Sequence, residues 1–290
     1  MKLKGKKLFI TGGAGFIGSH LIDRVIEDNH VIVFDSLHRN SLQYTSLEKH
    51  KNLTLIKGDI LDTEALEKAM GKSDIVIHMA AIAGVGTVVS KPTTTLKINL
   101  IGSYNTLEAC KKNNIKKAIV FSTSEVYGPN VYEADEAGTT TLGPIGKPRW
   151  MYAMSKLASE FLADSYSREY GIKYTSVRPF NVYGPRQTGE GAIHNFIVKA
   201  VKNEPLTVHE PGNQIRSWCY IDDMADALEL ILTNPKSDGE VFNIGNPGAT
   251  STTLQTAETV IRLANSKSKI EFKELQYPEV NIRVPSIEKA

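Results

Sequence analysis

Short unbroken runs of aliphatic and β-branched residues recur along the first 180 residues. They are Leu8-Phe9-Ile10, Val31 to Phe34, Leu53 to Ile56, Ile75 to Ile77, Ala118 to Phe121 and Tyr174 to Val177. Between them lie stretches with apolar residues on one helical face: Gly15 to Asp28, Thr63 to Met70, Thr94 to Asn113 and Met151 to Tyr170. A strand that is apolar throughout must be covered on both sides, so this alternation predicts an α/β chain with a doubly wound parallel sheet. Beyond Pro179 the rhythm loosens and Pro and Gly recur. The expected division is residues 1–180 as the sheet domain and 181–290 as a smaller α/β lobe, with 218–235 packing back as a helix.

Composition narrows the partners. Lys+Arg 34 against Asp+Glu 32 leaves +2, too weak a field to argue for nucleic acid or an anionic membrane. The basic start, Met1 to Lys7, is followed by an apolar run that breaks at Thr11-Gly12-Gly13, too short for a signal-peptide core. No window approaches the ~18–20 apolar residues that span a bilayer. With Cys110 and Cys219 the only cysteines, neither a disulfide framework nor a Cys-based zinc site is expected, and a soluble cytoplasmic protein without a metal is the simplest reading.

Gly12-Gly13-Ala14-Gly15-Phe16-Ile17-Gly18 follows the first strand and opens the first helix. Gly12 allows the tight turn, Gly15 lets backbone N–H groups approach a pyrophosphate at the positive helix end, and Gly18 permits close helix–sheet packing. Asp35 ends the second strand about 20 residues on, where a carboxylate accepts from both ribose hydroxyls and repels a 2′-phosphate. The combination predicts a Rossmann-type domain that binds NAD in preference to NADP.

Tyr152 and Lys156 lie one turn apart on a predicted helix, so phenol and ammonium share a face. A free phenol, with pKa ~10, is a poor base at neutral pH, and a neighbouring ammonium would favour phenolate. The pair could equally be one face of an amphipathic helix. Ser122-Thr123-Ser124-Glu125-Val126-Tyr127-Gly128 follows the Ala118 to Phe121 strand, at the carboxyl end of a parallel strand, where ligands bind in such sheets.

With these motifs the sequence resembles the extended short-chain dehydrogenase/reductases, specifically the NAD-dependent nucleotide-sugar epimerases, dehydratases and decarboxylases. The likeness also runs through Gly58-Asp59-Ile60, His78-Met79-Ala80-Ala81, Asn99, Arg178 to Arg186, Arg216 before Tyr220-Ile221-Asp222-Asp223, Asn243-Ile244-Gly245 and Arg283-Val284-Pro285. It implies a nucleotide-diphosphate sugar as substrate. Tyr152 would remove the 4-hydroxyl proton, Lys156 would hold the nicotinamide ribose and lower the Tyr152 pKa, and Thr123 would bond the same oxygen. The cofactor would lie against Gly12, Gly15, Phe16, Ile17, Gly18, Asp35, Asp59, Ile60, Ala80, Ala81 and Asn99, and against Tyr152 and Lys156. Ser124, Asn181, Arg186, Arg216 and Arg283 would hold the substrate, with the three arginines converging on its pyrophosphate.

The resemblance implies oxidation at C4 to a transient ketone with the nicotinamide recycled. Three outcomes follow from that ketone: 4-epimerisation, 4,6-dehydration, or decarboxylation of a uronate. Glu125 favours chemistry at C5, as a carboxylate able to take the C5 proton. Gly143 to Trp150 and Arg283 to Ile287 look most like the UDP-glucuronate decarboxylase branch. A UDP-sugar 4-epimerase is the alternative, and a non-catalytic NAD-binding regulatory module or a net dehydrogenase that releases NADH are readings of another class. The helices near 94–113 and 151–170 match those that form a homodimer interface in the family. Relatives continue into a further helix after residues 287–290, so the lobe is either truncated here or lacks a tail.

Overall fold

The computed structural model describes residues 2–274 and 280–290. Seven parallel strands form the central sheet in the order Glu240–Ile244, Lys173–Pro179, Lys117–Phe121, Ile75–His78, Lys7–Thr11, His30–Asp35, Leu53–Lys57. Thr11 pairs with Phe34 on one side and His78 on the other. The strand order therefore reverses at the first strand, leaving a crevice at the carboxyl ends.

Alternate side chains of each strand enter opposite cores. Leu8, Ile10, Val31, Val33, Ile75 and Ile77 belong to one buried cluster, and Phe9, Ile32, Phe34, Val76, Ala118 and Val120 to the other. Each of these Val, Leu, Ile and Phe side chains, removed from water, contributes about 1.5–3 kcal/mol, which is why these strands are largely apolar on both faces. The helices Phe16–Val25 and Ile221–Thr233 cover the first core through Leu21, Ile22 and Val25 with Met224, Leu228 and Ile231. At the surface Arg24 joins them by pairing with Asp222 and Asp226, at 3.4 and 2.8 Å.

Thr63–Met70, Gly102–Lys112 and Pro148–Tyr170 cover the second core. Asp62 caps the first by accepting from the Ala65 amide at 3.0 Å. The last stops at Gly171, whose left-handed φ of 71° ends the helix without Cβ strain. The continuous helix expected over Thr94 to Asn113 is instead Pro92–Leu96, a π-helical turn Lys97–Ile101, and Gly102–Lys112. Asn99 sits fully buried in the widened turn, its amide bonded to both the N–H and the C=O of Ile82.

Two segments depart from the division at residue 180. Glu240–Ile244 lies beside Lys173–Pro179 as the edge of the central sheet. Asn130–Ala134, from the first half, joins Ile282–Pro285, Ile215–Ser217 and Thr250–Thr252 in the four-stranded sheet of the lobe. Both pairings are long-range, and local periodicity carries no record of which strand a segment will meet. The remainder of the lobe packs Ala192–Val201 and Thr253–Leu263 over the pair Leu206–His209 and Ile270–Lys273, around Phe196, Leu206, Val208 and Ala257.

Candidate active site

The glycine loop lies at the sheet reversal. Gly12 has φ +71°, and a Cβ there would come within 2.6 Å of the Ala80 amide nitrogen. A Cβ on Gly18 would come within 2.5 Å of the Gly13 carbonyl oxygen, so the helix meets the loop at a distance only glycine permits. The Asp35 carboxylate accepts from the Ala14 amide at 3.0 Å and the Leu37 amide at 2.8 Å, which fixes its orientation. Burial raises its pKa, against the pull of those two bonds.

A cavity of about 580 Å³ opens here, lined by Gly12, Gly15, Phe16, Ile17, Gly18, Asp35, Asp59, Ile60, Ala80 and Ala81. Every cofactor residue expected from the loop, the second strand and the third and fourth strand ends therefore faces one space. Asn99 does not; it holds the Ile82 backbone, and Ile82 lines the cavity. The close backbone approach at Gly12, the helix opening at Gly15 and the oriented carboxylate of Asp35 fit a dinucleotide.

Next to this cavity the strand Lys117–Phe121 runs into Ser122, Thr123 and a 3₁₀ turn, Ser124–Tyr127. Thr123 caps the turn by accepting from the Glu125 amide at 3.2 Å, and its side chain lies near enough to the Tyr152 phenol to lower its pKa. Burial, with the Glu125 charge, pushes that phenol up to about 12, and Thr123 lowers it less. Lys156, itself 2% exposed, is held down to about 8 by burial, with Glu160 opposing. Burial and the Glu125 charge thus act together to favour the neutral phenol of Tyr152.

Glu125 occupies an unforeseen setting. One carboxylate oxygen accepts from Arg149 Nη2 at 2.9 Å and from Arg283 Nη1; the other accepts from Arg149 Nε at 3.0 Å. Burial would raise its pKa, but Arg283 and Arg149 pull it down to about 2. Arg283, 1% exposed, also donates to the Gly128 carbonyl at 2.7 Å. Arg149 was missed from the sequence; its signal was a lone arginine one turn before Tyr152.

Of the three arginines expected at a pyrophosphate, Arg216 and Arg283 are register partners on adjacent strands, while Arg186 is bonded to the first helix. Arg283 is spent on Glu125, and Arg186 turns to the first helix, pairing with Asp23 at 2.6 Å and donating to His20 at 3.1 Å. Arg216 alone of the three lines a second cavity, of about 270 Å³, with Asn181, Gln187, Gln214 and Trp218. Asn181 faces this cavity while its amide donates to the Ser217 carbonyl at 3.2 Å. Ser124 is buried in the 3₁₀ turn. Glu190, also missed, lines both cavities.

Among the described residues no cluster of His, Cys, Asp and Glu is placed to hold a metal, and no helix is long and apolar enough to cross a membrane. Residues 8–245 match the model of the NAD dependent epimerase/dehydratase family. UDP-glucuronic acid decarboxylase 3 of Arabidopsis thaliana is 36% identical over 292 residues, covering 98% of this chain and 82% of that protein. The solved UDP-glucuronic acid 4-epimerase of Bacillus cereus, in complex with UDP-glucuronic acid and NAD, superposes with a TM-score of 0.89 at 31% identity, covering 98% of this chain and 91% of that one. The UDP-glucose 4-epimerase of Thermotoga maritima gives 0.88 at 32%, with the same coverage.

Proposed function

The chain belongs to the NAD dependent epimerase/dehydratase family, and on that premise we propose that it oxidises a nucleotide-linked uronic acid at C4 and then removes the C6 carboxylate. It is an NAD-dependent enzyme that modifies nucleotide sugars. What the dinucleotide supplies when bound is a two-electron acceptor at C4 whose reduced form later restores the sugar.

Tyr152 takes the proton of the C4 hydroxyl, and Thr123 steadies the same oxygen. A phenol held near 12 needs positive charge to act as a base at neutral pH; Lys156, one helical turn away, supplies it, and the bound cofactor would add to it. The resulting ketone is β to the C6 carboxylate. The C5–C6 bond breaks, its electron pair passes into the C4 carbonyl as an enolate, carbon dioxide leaves, and C5 then takes up a proton. This route needs no base at C5.

The observation that carries the reading is the pinning of Glu125 between two arginines. A carboxylate with a pKa of about 2 is a weak base for a carbon acid, which counts against the C5 deprotonation that dehydration requires. The Arabidopsis decarboxylase supports the same choice.

A second reading, 4-epimerisation of a uronic acid, is favoured by the likeness to the Bacillus cereus enzyme. Incubation with UDP-glucuronic acid and NAD, followed by mass spectrometry, separates the two. Loss of the mass of carbon dioxide is expected, and an unchanged mass with altered chromatography would overturn decarboxylation in favour of the epimerase.

Arg216, Asn181 and the second cavity are the proposed nucleotide-diphosphate site. A homodimer through the two long helices is supported by their exposed apolar side chains, Ile101 at 45%, Tyr104 at 48% and Phe161 at 66%. The free, buried Cys110 and Cys219 fit a reducing cytoplasm.

A further inference from the structure

One carboxylate ties together segments that lie far apart in the chain around the rim of the large cavity. Glu190 Oε2 accepts from the Gly86 amide at 2.7 Å, and Oε1 accepts from the Thr87 amide at 3.0 Å and the Thr87 hydroxyl at 2.6 Å. The turn is shaped to receive it: a Cβ on Gly84, where φ is +101°, would come within 2.9 Å of the Glu190 carboxyl carbon. Arg39 completes the tie, with Nη2 3.9 Å from Glu190 and Nη1 donating to the Ala83 carbonyl at 3.2 Å. Arg39 belongs to the loop after Asp35, Ala83 to the loop after the fourth strand, and Glu190 to the lobe. All of them line the cavity that takes the dinucleotide, and Glu190 lines the substrate cavity as well.

We propose that Glu190 is a clasp that closes the lobe over the cofactor cavity and slows cofactor release. An enzyme that reduces and reoxidises the same nicotinamide within one turnover must keep the reduced form from escaping before its hydride is returned. A tie between lobe and sheet domain across the mouth of the cavity does this, and it opens only by breaking bonds to a carboxylate, which are stronger than neutral ones. The inference rests on the assignment of this cavity to NAD.

The test is the rate of NADH release, read as the fall in bound-NADH fluorescence when loaded protein is chased with excess NAD. Glu190→Ala should release NADH about tenfold faster than wild type, and Glu190→Gln by an intermediate factor. Thr87→Val, which removes one bond from the opposite side of the clasp, should accelerate release by roughly threefold. Equal release rates in wild type and Glu190→Ala would overturn the clasp while leaving the cavity assignment standing. Wild-type protein that takes up no NADH would overturn the assignment itself.

Discussion

Replacing Glu125 by Gln tests whether this carboxylate is a structural anion or a base. In the folded protein its pKa is about 2, against an ordinary 4.5, because Arg283 and Arg149 outweigh the upward push of burial. The folded pKa is depressed, so the stabilisation is fully present above pH 4.5 and is lost as pH falls towards about 2. A difference of about 2.5 units corresponds to about 3 kcal/mol, within the range found for breaking buried ion pairs. The side chains are 16%, 8% and 2% exposed for Glu125, Arg149 and Arg283, so solvent screening removes little of this. Urea-unfolding midpoints of wild type and Glu125→Gln, followed from neutral pH into acid, provide the assay. The variant should be about 3 kcal/mol less stable near neutrality, and the gap should close as wild-type Glu125 takes up its own proton. A gap that stays constant down through pH 3 would refute the argument.

Tyr152→Phe should lower turnover by about 10²–10⁴ while NADH binding is unchanged by fluorescence titration, since only the proton acceptor is lost. In Gly12→Ala the new methyl meets the Ala80 backbone at 2.6 Å with φ at +71°; thermal melts should show a loss of about 1–3 kcal/mol and titration a weakened hold on NAD. Asp35→Ala should narrow the preference for NAD over NADP, and an unchanged ratio of the two affinities would remove the ribose contact from the site.

Residues that act through their own backbone or within one turn of chain could be read from the sequence. The glycines of the loop, Asp35 at a strand end, and Tyr152 with Lys156 at helical spacing carry their geometry in their spacing, because strand, turn and helix periods fix where neighbouring side chains point. The parallel sheet was legible for the same reason: apolar runs covered on both faces admit few other arrangements.

Pairings between distant segments were decided only by the tertiary structure. Arg283 reaches Glu125 because Ile282–Pro285 lies between Asn130–Ala134 and Ile215–Ser217 in the lobe sheet, a neighbourhood that no local period encodes. The same folding sends Arg186 to Asp23, leaving Arg216 to line the substrate cavity. The charge on Glu125 and the neutral phenol of Tyr152 follow from burial and from what stands beside them, quantities that exist only once the chain has closed on itself. The sequence by itself determined the fold, the cofactor and part of the site, but not Arg149 or Glu190. Tertiary contact decided which charged groups stand against one another and which line the two cavities.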